Sequence, residues 1–301
     1  MASSCRSSVV FAQALMLGWC IQSMTVPAAR AQVPAQAPQS APQAAPVGPR
    51  SFPVDPRVQV RTYHFAEANK DMPYALFVSS KVRPDRKAPL IVMLHGLGVP
   101  ETFMLRAPAL DLAEQGGYIL VGPLGYNIRG WYGVPPFRRP AGAPPPRAIP
   151  GLGPQPNDPP NLRELSEKDV MNVLALVRKE FNVDDRRIYL MGHSMGGAGT
   201  FHIAVKYPKY WAAIAVMAPA AFGMDPQSIA SIPQTPVLVV HGDADNLVPI
   251  AISRSWVDVM KAQHMRYEFD EIPGATHGTV IAIGMPKVFA FFDEHPKPSA
   301  H

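Results

Sequence analysis

The chain has 301 residues, 47% of them apolar and 17% charged, a composition typical of a globular protein long enough to bury a substantial core. Its formal charge of +5 contains no block of like charges, so it bears on solubility and argues against a nucleic-acid partner. The only cysteines, Cys5 and Cys20, sit near the N-terminus, so neither thiol catalysis nor a disulfide is expected in the body of the chain.

The N-terminus carries Arg6, an apolar stretch over 9–21, and the small-residue site Ala29-Arg30-Ala31 before Gln32, the three parts of a cleavable secretory signal at 1–31. The stretch is shorter than the roughly 20 apolar residues a membrane span needs, and Gln13 interrupts it. No stable membrane association is therefore expected once it is removed. Lipid attachment at Cys20 is the alternative, with bulky Trp19 standing where a small residue would be expected. The reading is of an exported bacterial protein, periplasmic or secreted, whose mature chain carries +3 after losing Arg6 and Arg30. Residues 32–56, rich in Pro, Ala and Gln, read as a disordered tether, because ordering them would bury almost nothing apolar.

A domain is predicted over 57–295, followed by a short tail at 296–301. It opens with alternating residues over 58–64 and an extended stretch at 74–78, expected as antiparallel edge strands. Unbroken apolar runs follow at 90–94, 118–121, 188–191, 213–217 and 237–240, as suits strands covered on both faces of a parallel sheet. Helical segments are predicted at 103–115, 165–181, 198–207, 250–264 and 280–294, with another extended stretch at 267–272. The alternation predicts an α/β domain with a mostly parallel central sheet and helices on both faces. Residues 125–161 break the rhythm. They form a Pro- and Gly-rich insertion carrying Tyr126, Trp131, Tyr132 and Phe137, readable as a loop that shapes a binding site or as a floppy insertion. On the first reading Tyr126, Trp131 and Tyr132 are candidates for substrate contact.

Gly192-His193-Ser194-Met195-Gly196 follows the run at 188–191 and precedes a helical segment, the context a nucleophile elbow requires. Glycines flanking the serine remove the Cβ atoms that would clash on so sharp a turn. A serine hydroxyl needs a base, and the base needs a partner to hold its tautomer. Downstream, the run at 237–240 leads into His241-Gly242-Asp243-Ala244-Asp245, with Asp245 favoured over Asp243 as the orienting acid, and His277 follows in Pro273-Gly274-Ala275-Thr276-His277-Gly278. Activity resting on His277 as base should fall on acidification, as the imidazole takes up a proton. His95-Gly96-Leu97-Gly98 ends another strand, so Leu97 and Met195 are the expected backbone oxyanion donors. His95 and His241 are expected to hold neighbouring loops, and His193 to pack beneath the nucleophile. No His, Asp and Glu stand at metal-ligand spacing, so neither metal nor other cofactor is expected.

From Phe181-Asn182-Val183-Asp184 through Arg187-Ile188-Tyr189-Leu190-Met191 into the elbow and on to Gly197, Gly199 and Thr200, the chain resembles the esterase and peptidase branch of the α/β-hydrolases. That branch includes polyhydroxybutyrate-depolymerase-like and feruloyl-esterase-like enzymes and the prolyl-oligopeptidase catalytic domain. The resemblance implies the α/β-hydrolase fold and acyl transfer to water through Ser194, Asp245 and His277, with Leu97 and Met195 stabilising the oxyanion. It makes a small-molecule ester the expected substrate. A peptidase using the same triad and a non-catalytic binding protein on this scaffold are the alternative readings.

Overall fold

The computed structural model describes residues 52–136 and 151–299. The expected signal at 1–31 with Cys5 and Cys20, the tether up to residue 51, Phe137 with the middle of the insertion, and the last two residues lie outside the described residues. Eight strands are present: β1 (Gln59–Phe65), β2 (Lys70–Val78), β3 (Ala88–Leu94), β4 (Ile119–Pro123), β5 (Val183–His193), β6 (Ala213–Met217), β7 (Val237–Gly242) and β8 (Tyr267–Ile272). The helices of eight or more residues are α1 (Ala109–Gly116), α2 (Leu162–Glu180), α3 (Met195–Lys206), α4 (Ile250–Ala262) and α5 (Thr279–Glu294).

The strands form one sheet in the order β1-β2-β4-β3-β5-β6-β7-β8. The pairs β1/β2 and β2/β4 are antiparallel, and every pairing from β4 to β8 is parallel. Successive side chains of a strand point to opposite faces, so an unbroken apolar run fills two cores. In β3, Leu90, Val92 and Leu94 pack with α2, α3 and α4, while Ile91 and Met93 pack with α1 and α5. Phe201 of α3 stacks on Trp256 of α4, ring centroids 3.8 Å apart.

The element boundaries differ from the expected ones for local reasons. Helix α1 starts at Ala109, not near 103, because Pro108 lacks an N–H and takes the cap position after a run of turns. Helix α3 starts at Met195, directly after the serine and not near 198; Gly196 lowers helix propensity there, but its close packing on Leu94 of β3 overrides it. In β1 the inward side chains are Tyr63 and Phe65, and Val60 is 51% exposed. The packed domain also reaches beyond 57–295. Phe52, in the segment read as tether, sets its ring edge-on against Phe103 at 5.2 Å. Lys297, in the expected tail, donates from Nζ to the carbonyls of Lys209 and Tyr210.

Asp169 of α2 ties the start of the insertion to the sheet edge. Its carboxyl is buried and accepts from Tyr63 Oη at 2.5 Å, Gly125 N at 2.6 Å and Tyr126 N at 3.3 Å. Burial outweighs these donors and raises the carboxyl from 3.8 to about 6. The folded state therefore holds a proton that the unfolded chain releases between those values, and stability contributed by this group declines as pH rises through that window, by up to about 3 kcal/mol. Asp169→Asn removes this dependence. Urea unfolding at pH 4 and pH 7 should show the variant gaining on the wild type at the higher pH.

Candidate active site

Ser194 stands at the end of β5, where the strand turns into α3. Its backbone adopts φ 57° and ψ −117°, a conformation costing a non-glycine residue on the order of 1–3 kcal/mol and found where the surrounding structure enforces it. The enforcing contacts are Ser194 N donating to Met217 O at 3.0 Å and Ser194 O accepting from Ala220 N at 2.9 Å and Ala198 N at 3.1 Å. A Cβ on Gly196 would lie 2.2 Å from Leu94 O, and one on Gly192 would lie 2.2 Å from Gly196 O. These are backbone atoms of packed elements and have nowhere to go. Gly196→Ala should therefore cost about 3 kcal/mol or more, read from the urea midpoint, by prising α3 from β3.

Asp245 and His277 meet across the loops that follow β7 and β8. His277 Nδ1 lies 2.7 Å from Asp245 Oδ2. Asp245 is fully buried at its side chain, and its Oδ1 accepts from Leu247 N at 2.8 Å and Val248 N at 2.9 Å. Burial opposes the charge, yet the N–H of Val248, the His277 ring and the N–H of Leu247 together hold the carboxyl below its ordinary range. An acceptor-only carboxylate at Nδ1 puts the His277 proton on that nitrogen and leaves Nε2 with its lone pair. Asp243 faces elsewhere: it is exposed and accepts from Gly274 N at 2.6 Å, bracing the turn ahead of His277.

His277 reaches the elbow through His193. The two rings lie 4.5 Å apart, and His193 Nε2 donates to the His277 carbonyl at 2.7 Å. Burial and the nearby His277 push His193 down to about 3, so it stays neutral, with Nδ1 lacking a partner among the described residues. Ser194 is partly exposed, and among the described residues its hydroxyl makes no hydrogen bond to His277. Such a contact commonly tightens only when substrate is bound.

Leu97 sits on the turn that closes over Ser194. A Cβ on Gly96 would lie 3.5 Å from Ser194 Cβ. His95 is fully buried, with Nδ1 2.8 Å from Gly96 O and Nε2 2.9 Å from Leu124 O. Because Gly96 O turns toward that ring, the trans peptide turns the Leu97 N–H the opposite way. Among the described residues neither the Leu97 nor the Met195 N–H donates to a backbone carbonyl.

The insertion flanks this turn. Gly98 N donates to Ile128 O at 2.8 Å, and the Leu152 side chain packs where a Gly98 Cβ would be. Arg129 and Asp158 pair at 2.5 Å and staple its two described arms. Of the three aromatics offered as substrate contacts, Tyr132 is fully buried, packed on Gly199 and edge-on to His95, so it serves the core. Its neighbours are too tightly packed to leave a face open. Tyr126 packs on Phe65 with the Lys70 ammonium 3.7 Å from its ring. Trp131 is half-buried, the Arg163 guanidinium 5.7 Å from its ring. Sequence reasoning missed Phe222 and Leu247, 38% and 65% exposed on loops leaving the same sheet edge as Ser194; isolated apolar loop residues carry no periodic signal. Among the described residues no group of three or more His, Cys, Asp or Glu could hold a metal ion.

Residues 158–281 match the Dienelactone hydrolase family. Feruloyl esterase B of Neurospora crassa is 28% identical over 162 residues, 51% of this chain, and the chain spans about half of that relative, 47% of its length. A thermostable esterase superposes with a TM-score of 0.59 at 23% identity, covering 80% of this chain and 64% of the other. The structure of a ferulic acid esterase from Anaeromyces mucronatus bound to ferulic acid also gives a TM-score of 0.59, at 18% identity, covering 79% of this chain and 90% of the other. The parallel sheet with its antiparallel edge, the serine at the β5 turn and these likenesses together show that the chain has the α/β-hydrolase fold.

Proposed function

We propose that this protein is an exported serine hydrolase that cleaves carboxylic esters through an acyl-enzyme. Ser194 attacks the ester carbonyl, His277 Nε2 takes the hydroxyl proton and returns it to the departing alcohol, and Asp245 stabilises the resulting imidazolium. Water then repeats the sequence and releases the acid. The N–H groups of Leu97 and Met195 receive the oxyanion, aided by the positive end of α3. The observation that carries the reading is the 2.7 Å contact of His277 with a buried Asp245, beside a serine held at φ 57°. Feruloyl esterase B and the thermostable esterase support an ester substrate. Trp131, Leu152, Phe222 and Leu247 offer apolar surface for its acyl or alcohol group, with Tyr126 further along the insertion. Export rests on the signal read at 1–31.

The test is to treat the protein with a fluorophosphonate while following p-nitrophenyl acetate hydrolysis. Inactivation with one phosphonyl group on the peptide bearing Ser194 is expected; hydrolysis that survives full labelling, or a label elsewhere, would overturn the assignment.

A further inference from the structure

His241 ends β7 and is fully buried, yet it lies beside the groups assigned to the triad without belonging to it. Its Nε2 is 3.0 Å from Val248 O and 3.2 Å from Asp245 Oδ2, and its Nδ1 is 2.7 Å from Ser253 Oγ on α4. A backbone carbonyl and a carboxylate can only accept, so Nε2 must carry the ring proton. Nδ1 is then a lone pair, and the Ser253 hydroxyl, also fully buried, must donate to it. Each polar atom of the ring is satisfied in this one tautomer, whereas the other would set a lone pair against two oxygens.

We propose that His241 is a positioning residue for the triad: a neutral imidazole whose Nε2–H holds the 245–248 turn through Val248 O and offers Asp245 Oδ2 a second donor beside His277. Ser253 fixes the tautomer. The inference rests on the triad reading and deepens it, because Asp245 Oδ2 is then held between the Nε2–H of His241 and the Nδ1–H of His277. Burial holds His241 below its ordinary range, in keeping with the neutral ring. The ionisable groups around it are Asp245 on its own loop, His277 on the following loop, and Glu271, its register partner on β8, whose charge is engaged by Arg254 of α4 at 2.8 and 2.9 Å.

Removing the donor leaves Asp245 a stronger base, which favours the protonated form of His277. His241→Leu also frees the 245–248 turn, and should lower kcat about ten- to a hundredfold, the loss expected of one hydrogen bond to a charged group, with KM little changed. It should also move the acid limb of the kcat/KM profile to higher pH by about half a unit or more. His241→Gln, whose amide nitrogen reaches the Nε2 position, should restore the wild-type limb and most of kcat. An unshifted limb in His241→Leu, or a Gln variant as impaired as the Leu variant, would overturn the proposal. Because the Leu variant can fail to fold, the decisive companion measurement uses the unaltered protein. Its His241 15N resonances should report the Nε2–H tautomer unchanged from pH 5 to 8, and an Nδ1–H tautomer or a titration in that range would overturn the role. Ser194→Ala assayed alongside separates the two readings: full activity there sinks the triad whatever His241 does, while an inactive Ser194→Ala with an unshifted His241→Leu sinks only the positioning role.

Discussion

Ser194→Ala is expected to lower kcat for p-nitrophenyl acetate by roughly 10⁴- to 10⁶-fold while leaving the unfolding midpoint within about 0.5 kcal/mol of the wild type. The size follows from what is lost. Without the hydroxyl, no acyl-enzyme forms, and the base has only water to activate in a site arranged for an attached nucleophile. The residual rate would come from the oxyanion donors and from substrate binding. The stability expectation is independent: among the described residues the Ser194 side chain makes no hydrogen bond, and alanine at φ 57° meets the same backbone penalty as serine. Steady-state rates and urea denaturation on the same preparations check both halves. A comparable rate in the variant would show that the serine is structural and would turn attention to the binding-protein reading.

Asp245→Asn should cost roughly 10³- to 10⁴-fold in kcat, with Asp243→Asn, measured beside it, costing less than about threefold. An asparagine at 245 can place its NH₂ toward His277 Nδ1, and that nitrogen then accepts. The proton moves to Nε2, where it faces Ser194 and cannot receive the hydroxyl proton. Because the Asp245 side chain is fully buried, the asparagine amide stays against Nδ1 and cannot turn out to solvent. Asp243 is exposed, and asparagine there keeps an oxygen for the Gly274 N–H. Equal losses from the two variants would mean that the acid acts through loop geometry and not through its charge on His277. The paired rates at pH 7 and 8 decide between these.

The sequence carried the architecture because its signal is local. Short unbroken apolar runs such as Leu90-Ile91-Val92-Met93-Leu94 suit strands covered on both faces, and their alternation with helices points to the class of fold. The turn at Ser194 was legible because one so sharp demands glycine on either side, and Asp245 and His277 stood out because each lies among small residues on the loop that follows an extended run. The start of α3 was not legible. Gly196 weakens a helix by propensity, and only the 2.2 Å approach of Leu94 O explains why glycine stands inside one.

Residues that act across the chain were legible in kind but not in place. Tyr132 looked like a binding aromatic, and it became core because α2 and α3 close over it, a contact between segments far apart in sequence. His241 read as a histidine holding a neighbouring loop and His193 as one packing beneath the nucleophile, but their partners were not legible. Their hold on the His277 carbonyl and on the Asp245 loop depends on β5, β7 and the 273–278 turn meeting at one edge of the sheet. The sequence by itself therefore determined the order and type of elements, which follow from hydrophobic period and turn chemistry, and it singled out the groups that the proposed triad would use. The tertiary structure decided which aspartate faces the histidine, which aromatics are left to a substrate and which buried histidines hold the site, because hydrogen bonds of about 3 Å exist only once distant loops have been brought together.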